Sequence, residues 1–251
     1  MCEKEKTLKI AKPQVIPLQD IDGEAILLKI QEAAKTCYQS HKSTDDIESA
    51  KRIVKSLIQS GHHSMLEFGG TIGMRYITNI AGYKDLRTHR LSTWAVESTR
   101  WANYSKGKYG SELTFLDPVE FKDDPKKYAR WERCMQMIEN SYMELAKLGA
   151  KPDQLSLLLP QSTKAEANVI ANLVEWRHIL ALRSSIARTG HARPSIVELM
   201  DQTLEIFHEK IPIIFDDLYE ELQAKRLQKK IEEEKNKQLK INFDETNQHT
   251  K

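Results

Sequence analysis

Cysteine is scarce in this 251-residue chain, and Cys2, Cys37 and Cys134 lie far apart. An odd, scattered set excludes a disulfide framework and any CxxC metal site, and it suits a reducing compartment. Glycine is also sparse. None of the ten falls at GxGxxG spacing and none forms a glycine-rich phosphate loop, so a nicotinamide or flavin would have to be held in some other way. No run approaches the ~20 apolar residues that span a bilayer. The opening Met-Cys-Glu-Lys-Glu-Lys has no apolar stretch behind it, so no secretory signal is read. Charge of one sign is missing too: 38 basic and 36 acidic residues leave a net charge of +2. There is no bulk case for a nucleic-acid polymer or a membrane as partner, and any anion must be bound by a local cluster. No internal repeat is found. The expectation is a soluble, cytoplasmic protein, long enough for one large domain or two small ones.

What is present is such a cluster. From Thr88 to Trp101 the chain gathers His89, Arg90, Arg100 and the hydroxyl of Ser98, with Arg87 just outside. These groups would repel one another if they served structure alone. They make sense around an anion, because guanidinium forks bind phosphate oxygens in pairs and a serine adds a donor. A solvated basic turn is the plainer alternative. The interleaved Trp94 and Trp101 argue against a simple solvated face.

Residues 1–23 hold two short apolar pieces with Pro13 and Pro17, which suit an edge strand and a loop. Helical spacing runs from Glu24 to about Tyr38. A second helix carries Ile47, Ala50, Ile53, Val54, Leu57 and Ile58, with Ser43 or Thr44 as N-cap, Asp45 and Asp46 at its positive end, and Gly61 as its stop. It delivers the chain into His62-His63-Ser64. Adjacent histidines suggest zinc, but neighbouring side chains diverge and no His-Glu-x-x-His follows. A second reading turns one histidine toward a ligand, with Ser64 donating to a phosphate and Glu67 accepting from a hydroxyl or orienting a neighbour. The third is a turn whose polar groups satisfy only the backbone.

Gly69 to Ile80 reads as a strand with Ile72, Met74 and Tyr76 on one face, and Tyr83 to His89 as a short helix. Glu112 to Phe115 is a short strand or loop. Pro125 to Gly149 is a long amphipathic helix whose stripe, Tyr128, Trp131, Cys134, Met135, Ile138, Tyr142, Leu145 and Leu148, is assigned to the core. Pro152 to Pro160 reads as a leucine-rich helix. Another helix is expected from Lys164 to about Ala187, with Asn172 and Glu175 on one flank and His178 and Leu182 on another. Arg183, in so apolar a setting, needs a carboxylate or a ligand as partner. Pro194 to Leu222 reads as a helix that continues as a charged tail, disordered from about residue 241. The residues after Leu222 thus form a charged tail, helical or disordered, over 223–251.

The Thr88-His89-Arg90, seven-residue, Ser98-Thr99-Arg100 pattern resembles the signature of the flavin-dependent thymidylate synthases, Arg-His-Arg, seven residues, Ser, one residue, Arg. Gly61-His62-His63-Ser64-Met65-Leu66-Glu67 is similar to that family's Gly-His-x-Ser/Thr-x-x-Glu, and Asn172 to Arg183 resembles its third block. The three blocks stand in the family's order over residues roughly 24 to 200. The resemblance implies a single α+β domain over residues 1–222 with the thymidylate synthase-complementing fold, a central β-sheet flanked by long helices, and a helical C-terminus. It implies a homotetramer that binds FAD between subunits, uses NADPH and methylenetetrahydrofolate, and methylates dUMP to dTMP without a cysteine nucleophile. By position, Ser98 and Arg100 would bind the dUMP phosphate, with Arg87 beside them, and Arg183 would contact the uracil. Ser98 and Arg183 are the residues assigned to catalysis. His62, Ser64, Glu67, His89, Arg90, Asn172, His178 and Leu182 would line the FAD or folate site.

Four positions depart from the pattern. Thr88, Ser156 and Val174 stand where the family has arginines, and Phe68 replaces a common histidine. Each lost charge-assisted contact is worth ~1.5–3 kcal/mol. Lys84, Arg87, Lys164 and Arg177 are the candidates to compensate. Two alternatives to thymidylate synthesis follow: related chemistry on another uridine nucleotide, such as hydroxymethylation of dUMP, or a catalytically silent subunit that binds a nucleotide or pairs with an active one.

Overall fold

The computed structural model describes residues 7–39, 46–107, 110–188, 190 and 192–248, without the side chains of Tyr38 and of 239–248. The chain begins with β1 (Lys9–Ala11) and β2 (Gln14–Pro17). Two helices follow. In α1 (Gly23–Tyr38) the Asp22 carboxylate caps by accepting from the Ala25 amide, and in α2 (Ile47–Gln59) Asp46 does the same for Ser49. The cap is thus Asp46, which the sequence placed only at the positive end of the dipole, and not the expected Ser43 or Thr44, which with Asp45 lie outside the described residues. Gly61 ends this unit as expected, at φ +73°, a left-handed conformation that costs glycine no steric strain. A 3-10 turn, His63–Gly69, leads into β3 (Thr71–Asn79).

β3 forms the middle of a four-stranded sheet with order β2-β3-β6-β4, in which β4 is Ser92–Val96 and β6 is Lys164–Asn172. β3 and β6 pair antiparallel along all nine residues, from Thr71 opposite Asn172 to Asn79 opposite Lys164. Ile72, Met74, Tyr76 and Thr78 are buried on one face, matched by Ala165, Ala167, Val169 and Ala171. β2 ends on Pro17 at the sheet edge, where a missing donor does least harm. A separate parallel pair joins β1 to β5 (Thr114–Leu116).

The remaining helices cover the inner face and the ends. α3 (Ile80–Leu86) follows β3, with the Asn79 side chain accepting from the Gly82 amide. α4 (Pro125–Lys147) is capped by Asp124, and α5 is Pro152–Leu155. α6 (Leu173–Arg183) continues directly from β6, then come α7 (Pro194–Lys210) and α8 (Asp216–Gln248). The main core joins α1, α2, the inner sheet face, α6, α7 and the start of α8 around Trp176, Phe207 and Phe215. A second cluster gathers Phe115, Trp131, Met135 and Tyr142 between β5 and α4.

Five expectations are corrected. Lys164 to Ala187 is not one helix: its first nine residues are β6, and the helix begins only at Leu173. The leucine-rich piece after Pro152 is one turn of α5 and a 3-10 turn, Ser156–Leu158. The helix from Pro194 breaks at Ile211–Phe215, where Pro212 has no amide to continue the ladder and Ile211, Ile214 and Phe215 turn into the core. The α4 stripe reaches the core only as far as Tyr142; Leu148 is 83% exposed, while the unexpected Glu139 is buried and accepts from the Leu113 amide. The tail stays helical to Gln248, past the point where disorder was expected. Among the described residues no helix is long and apolar enough to cross a membrane.

Candidate functional site

The expected site residues fall into two groups at opposite ends of β4. The first group assembles where β6 ends and α6 begins. Asn172 is not on the helix flank: it is the N-cap, its Oδ1 accepting from the Glu175 amide at 2.8 Å. The 3-10 turn carrying Ser64, Glu67 and Phe68, with His62 directly before it, packs on α1 and α6. Gly69 makes this close approach possible, because a Cβ there would stand 2.5 Å from Leu173 Cδ1. His62, Ser64 and Glu67 are exposed, as are His178 and Leu182 on α6.

The loop between α3 and β4 brings Thr88, His89 and Arg90 to the same place. His89 is 7% exposed, and its Nε2 accepts from Arg183 Nε at 3.1 Å. Its Nδ1 lies 3.7 Å from Glu175 Oε1, and its ring meets His178 edge to face with 5.8 Å between centroids. Burial, then the charge of Arg183, then His178 push the imidazole pKa down to about 4. At neutral pH His89 is therefore uncharged, and its contact with Glu175 is not an ion pair. Burial also raises the Glu175 carboxyl, with His178 partly opposing the shift. Arg183 Nη2 has a long contact to Thr88 Oγ1, 3.4 Å, while the Thr88 hydroxyl donates to the Asp85 carbonyl at 2.7 Å. Arg90 stays exposed, without an ion-pair partner among the described residues.

The second group lies past the far end of β4. That strand pairs with β6 from Ser92 opposite Ala171 to Val96 opposite Ala167, and the Glu97 amide extends the pairing by donating to the Glu166 carbonyl at 2.8 Å. Five strand steps carry the chain roughly 16 Å along this ladder. Ser98 and Arg100 follow directly, both exposed, and the Ser98 carbonyl accepts from the Trp101 and Ala102 amides. Trp101 is 86% exposed. No hydrogen bond or ion pair among the described residues joins Ser98 or Arg100 to Arg183.

Sequence reasoning passed over Glu97. Its carboxylate accepts from the Tyr104 hydroxyl at 3.2 Å and from the Glu166 amide at 3.2 Å, which fastens the segment carrying Ser98 to β6. With Arg75, Ala95, Lys164, Glu166 and Asn168 it lines an open groove of about 580 Å³ on the outer sheet face. The signal was its place directly before Ser98 in the motif. Glu175 was seen only as a polar residue on a helix flank, yet it is buried against His89.

The proposed compensators divide in the same way. Lys164 is committed to Glu166 at 2.6 Å and Glu97 at 3.6 Å. Arg177 donates to the Ile214 carbonyl and to both Asp217 oxygens, at 2.8 and 2.6 Å, so it fastens α6 to α8. Of the four, only Lys84 and Arg87 are exposed and without an ion-pair partner among the described residues. Ser156 donates into its own turn, to the Asp153 carbonyl at 2.6 Å, and Val174 packs on the main core. Neither recovers the charge of an arginine.

The exposed guanidinium groups of Arg87, Arg90 and Arg100 fit an anionic ligand with phosphate groups, since no acidic side chain among the described residues pairs with them.

Comparison with known proteins gives a consistent picture. The model of the family "Thymidylate synthase complementing protein" matches residues 26–213. A flavin-dependent thymidylate synthase of Mycobacterium avium is 28% identical over 230 residues, 84% of this chain and 86% of its own length. One from Thermococcus onnurineus is 28% identical over 125 residues, and there the match spans 49% of this chain and half of the relative. Among solved structures, the UMP/dUMP methylase PolB from Streptomyces cacaoi, bound with 5-Br dUMP, aligns at a TM-score of 0.68 and 19% identity over 86% of this chain and 97% of its own. Thymidylate synthase X from Helicobacter pylori, with FAD and dUMP, aligns at 0.65 and 19% identity over 82% and 99%. These two establish a shared α+β fold.

Proposed function

The chain belongs to the thymidylate synthase complementing protein family, and from that premise we propose that it is a flavin-dependent methyltransferase that acts on C5 of the uracil of dUMP, with methylenetetrahydrofolate and NADPH as co-substrates. The catalytic unit takes in residues 1–222, leaves the tail from 223 outside, and works as a cytoplasmic homotetramer. The observation that carries this reading is the division of the signature between two ends of β4. Ser98 and Arg100 at one end suit a nucleotide phosphate, and Arg183 at the other suits a uracil carbonyl. A neighbouring subunit brings one end against the other, so that each nucleotide is held by two chains.

FAD, when bound, supplies the hydride that completes the methyl group. The chain's own residues position and polarise. Ser98 donates its hydroxyl and Arg100 its guanidinium fork to the phosphate. Arg183 places its terminal N–H groups on the uracil, drawing negative charge toward the ring oxygen and making C5 a better nucleophile. Arg90 and Arg87 offer charge to the cofactor's phosphates, and His62, Ser64, Glu67, Asn172, His178 and Leu182 line the surface on which the flavin or folate rests.

The first test is an absorbance spectrum of the purified protein, with FAD and then dUMP added. The expected result is a flavin band that shifts on adding dUMP, followed by formation of dTMP in a complete assay. A protein that remains colourless after incubation with FAD would remove the flavoenzyme reading. A second reading, one-carbon chemistry such as hydroxymethylation on this or another uridine nucleotide, is favoured by Ser156 and Val174, which restore none of the lost charge. Turnover of dUMP to dTMP at ordinary rates in a panel of uridine nucleotides would exclude it.

A further inference from the structure

Arg183 is held on one side only. Its Nε–H donates to His89 Nε2 at 3.1 Å, and among the described residues its terminal nitrogens make only the long contact with Thr88. A guanidinium has no lone pair to offer, so the direction of this hydrogen bond is forced: His89 Nε2 is the acceptor and carries no proton. The neutral imidazole must then carry its proton on Nδ1. That nitrogen faces Glu175 Oε1 at 3.7 Å, and both side chains are buried. A carboxylate on that side favours a proton on that nitrogen, as an aspartate does for the histidine of a serine protease.

We propose that Glu175 and His89 form a positioning pair for Arg183, in which the carboxylate fixes the imidazole tautomer and the imidazole fixes the guanidinium plane. The inference rests on the reading of Arg183 as the uracil contact and deepens it. Both histidine nitrogens are turned to protein partners, so His89 acts through Arg183. Anchoring at Nε leaves the two-pronged terminal edge free for a planar acceptor such as a uracil carbonyl. Thr88 takes part because its own hydroxyl hydrogen is used by the Asp85 carbonyl, which leaves a lone pair toward Arg183. An arginine at position 88 would set a like charge beside Arg183 instead. The groups that face the His89 ring are Arg183 and Glu175, with His178 edge-on and Thr88 beside it; protonation of His89 would set N–H against N–H and release Arg183.

Two experiments test the pair. The first needs no substrate: a nitrogen-15 spectrum of the whole protein labelled at histidine, with the His89 signals identified by their loss in His89→Gln. The expected result is a neutral, Nδ1-protonated ring that stays uncharged down to about pH 5. A ring protonated on Nε2, or an imidazolium near neutral pH, overturns the proposal. The second compares His89→Gln, which offers an acceptor to Arg183 and a donor to Glu175, with His89→Phe, which fills the space and offers neither. His89→Phe should weaken dUMP binding roughly 10- to 100-fold, the weight of one charge-assisted hydrogen bond, and His89→Gln by no more than about 3-fold. Equal losses in both variants overturn the pair. If the wild-type protein binds no dUMP, the functional reading fails, while the spectrum still decides the tautomer.

Discussion

Replacing Arg183 by alanine is expected to lower kcat/KM for dUMP by two to three orders of magnitude, about 3–4 kcal/mol of transition-state stabilisation. The side chain is half-buried at the end of α6, and its hydrogen bonds among the described residues are to His89 and Thr88. On the proposed reading its removal takes away the terminal donors where negative charge develops on the uracil, and it leaves the hydrophobic core untouched. Size-exclusion chromatography and a thermal melt should therefore show an assembly and a stability close to those of the wild type. The assay separates binding from chemistry: a loss in kcat as well as in KM places the contact in the transition state, whereas a change in KM alone would make it a binding contact. Unchanged turnover would sink the assignment of Arg183 to the uracil.

One and a half turns earlier on the same helix, Arg177→Ala should do the reverse. Arg177 is buried, and its guanidinium holds the carbonyl of buried Ile214 together with both Asp217 oxygens. Burial would push the Asp217 carboxyl up, but the hydrogen bond and charge of Arg177 outweigh it and hold the group below the usual carboxylate range. That stability is present above the unfolded carboxyl's pKa and is lost as pH falls through the folded value, so it fails in acid. Breaking a buried pair by removing one partner costs ~3–5 kcal/mol. Asp217 is half-exposed, with side-chain accessibility of 50%, and solvent screening brings the expected loss to about 2–3 kcal/mol. For a chain of this size the melting temperature should drop by roughly 4–12 °C. Calorimetry at pH 7 and again near pH 3 checks both size and sign: the gap between variant and wild type should narrow in acid. An unchanged melting temperature at pH 7 would show that the α6–α8 fastening contributes nothing.

These two arginines show where the sequence was legible. The reading placed both on one helix and named both as candidates for ligand duty, because composition gives charge and spacing but not the partner. Asp217 is 40 residues away from Arg177, and nothing local announces it. The strand β3 and the helices α1, α2 and α4 were readable because their apolar periods are clean and their caps are adjacent in sequence. β6 was not. Its residues Lys164-Ala-Glu-Ala-Asn-Val-Ile-Ala-Asn are good helix formers at several positions, and the alternation of Ala165, Ala167, Val169 and Ala171 becomes decisive only when β3, some ninety residues earlier, supplies the pairing. β4 was hidden for another reason: the charges on either side of it, with Trp94 and Trp101, drew attention to chemistry, although Ser92, Trp94 and Val96 alternate inward against Thr93 and Ala95. The motif picked out candidate residues but was silent on their arrangement, since His89 and Ser98 look like neighbours in one loop and are held at two ends of a strand.

The seven residues between Arg90 and Ser98 are therefore a gauge length, and not an adjustable connection. Five of them are β4, matched one for one to β6, and the last, Glu97, is tied to Glu166 through both its amide and its carboxylate. An inserted residue would have two effects at once. It would lengthen the interval by one strand step of ~3.3 Å, and it would invert every side chain beyond it, because the pleat repeats every two residues. Loops elsewhere in the chain can drift in length at little cost. Here the same drift would turn Ser98 to the wrong face of the sheet, so the fixed interval in the signature is a property of a ladder of hydrogen bonds before it is a property of any ligand.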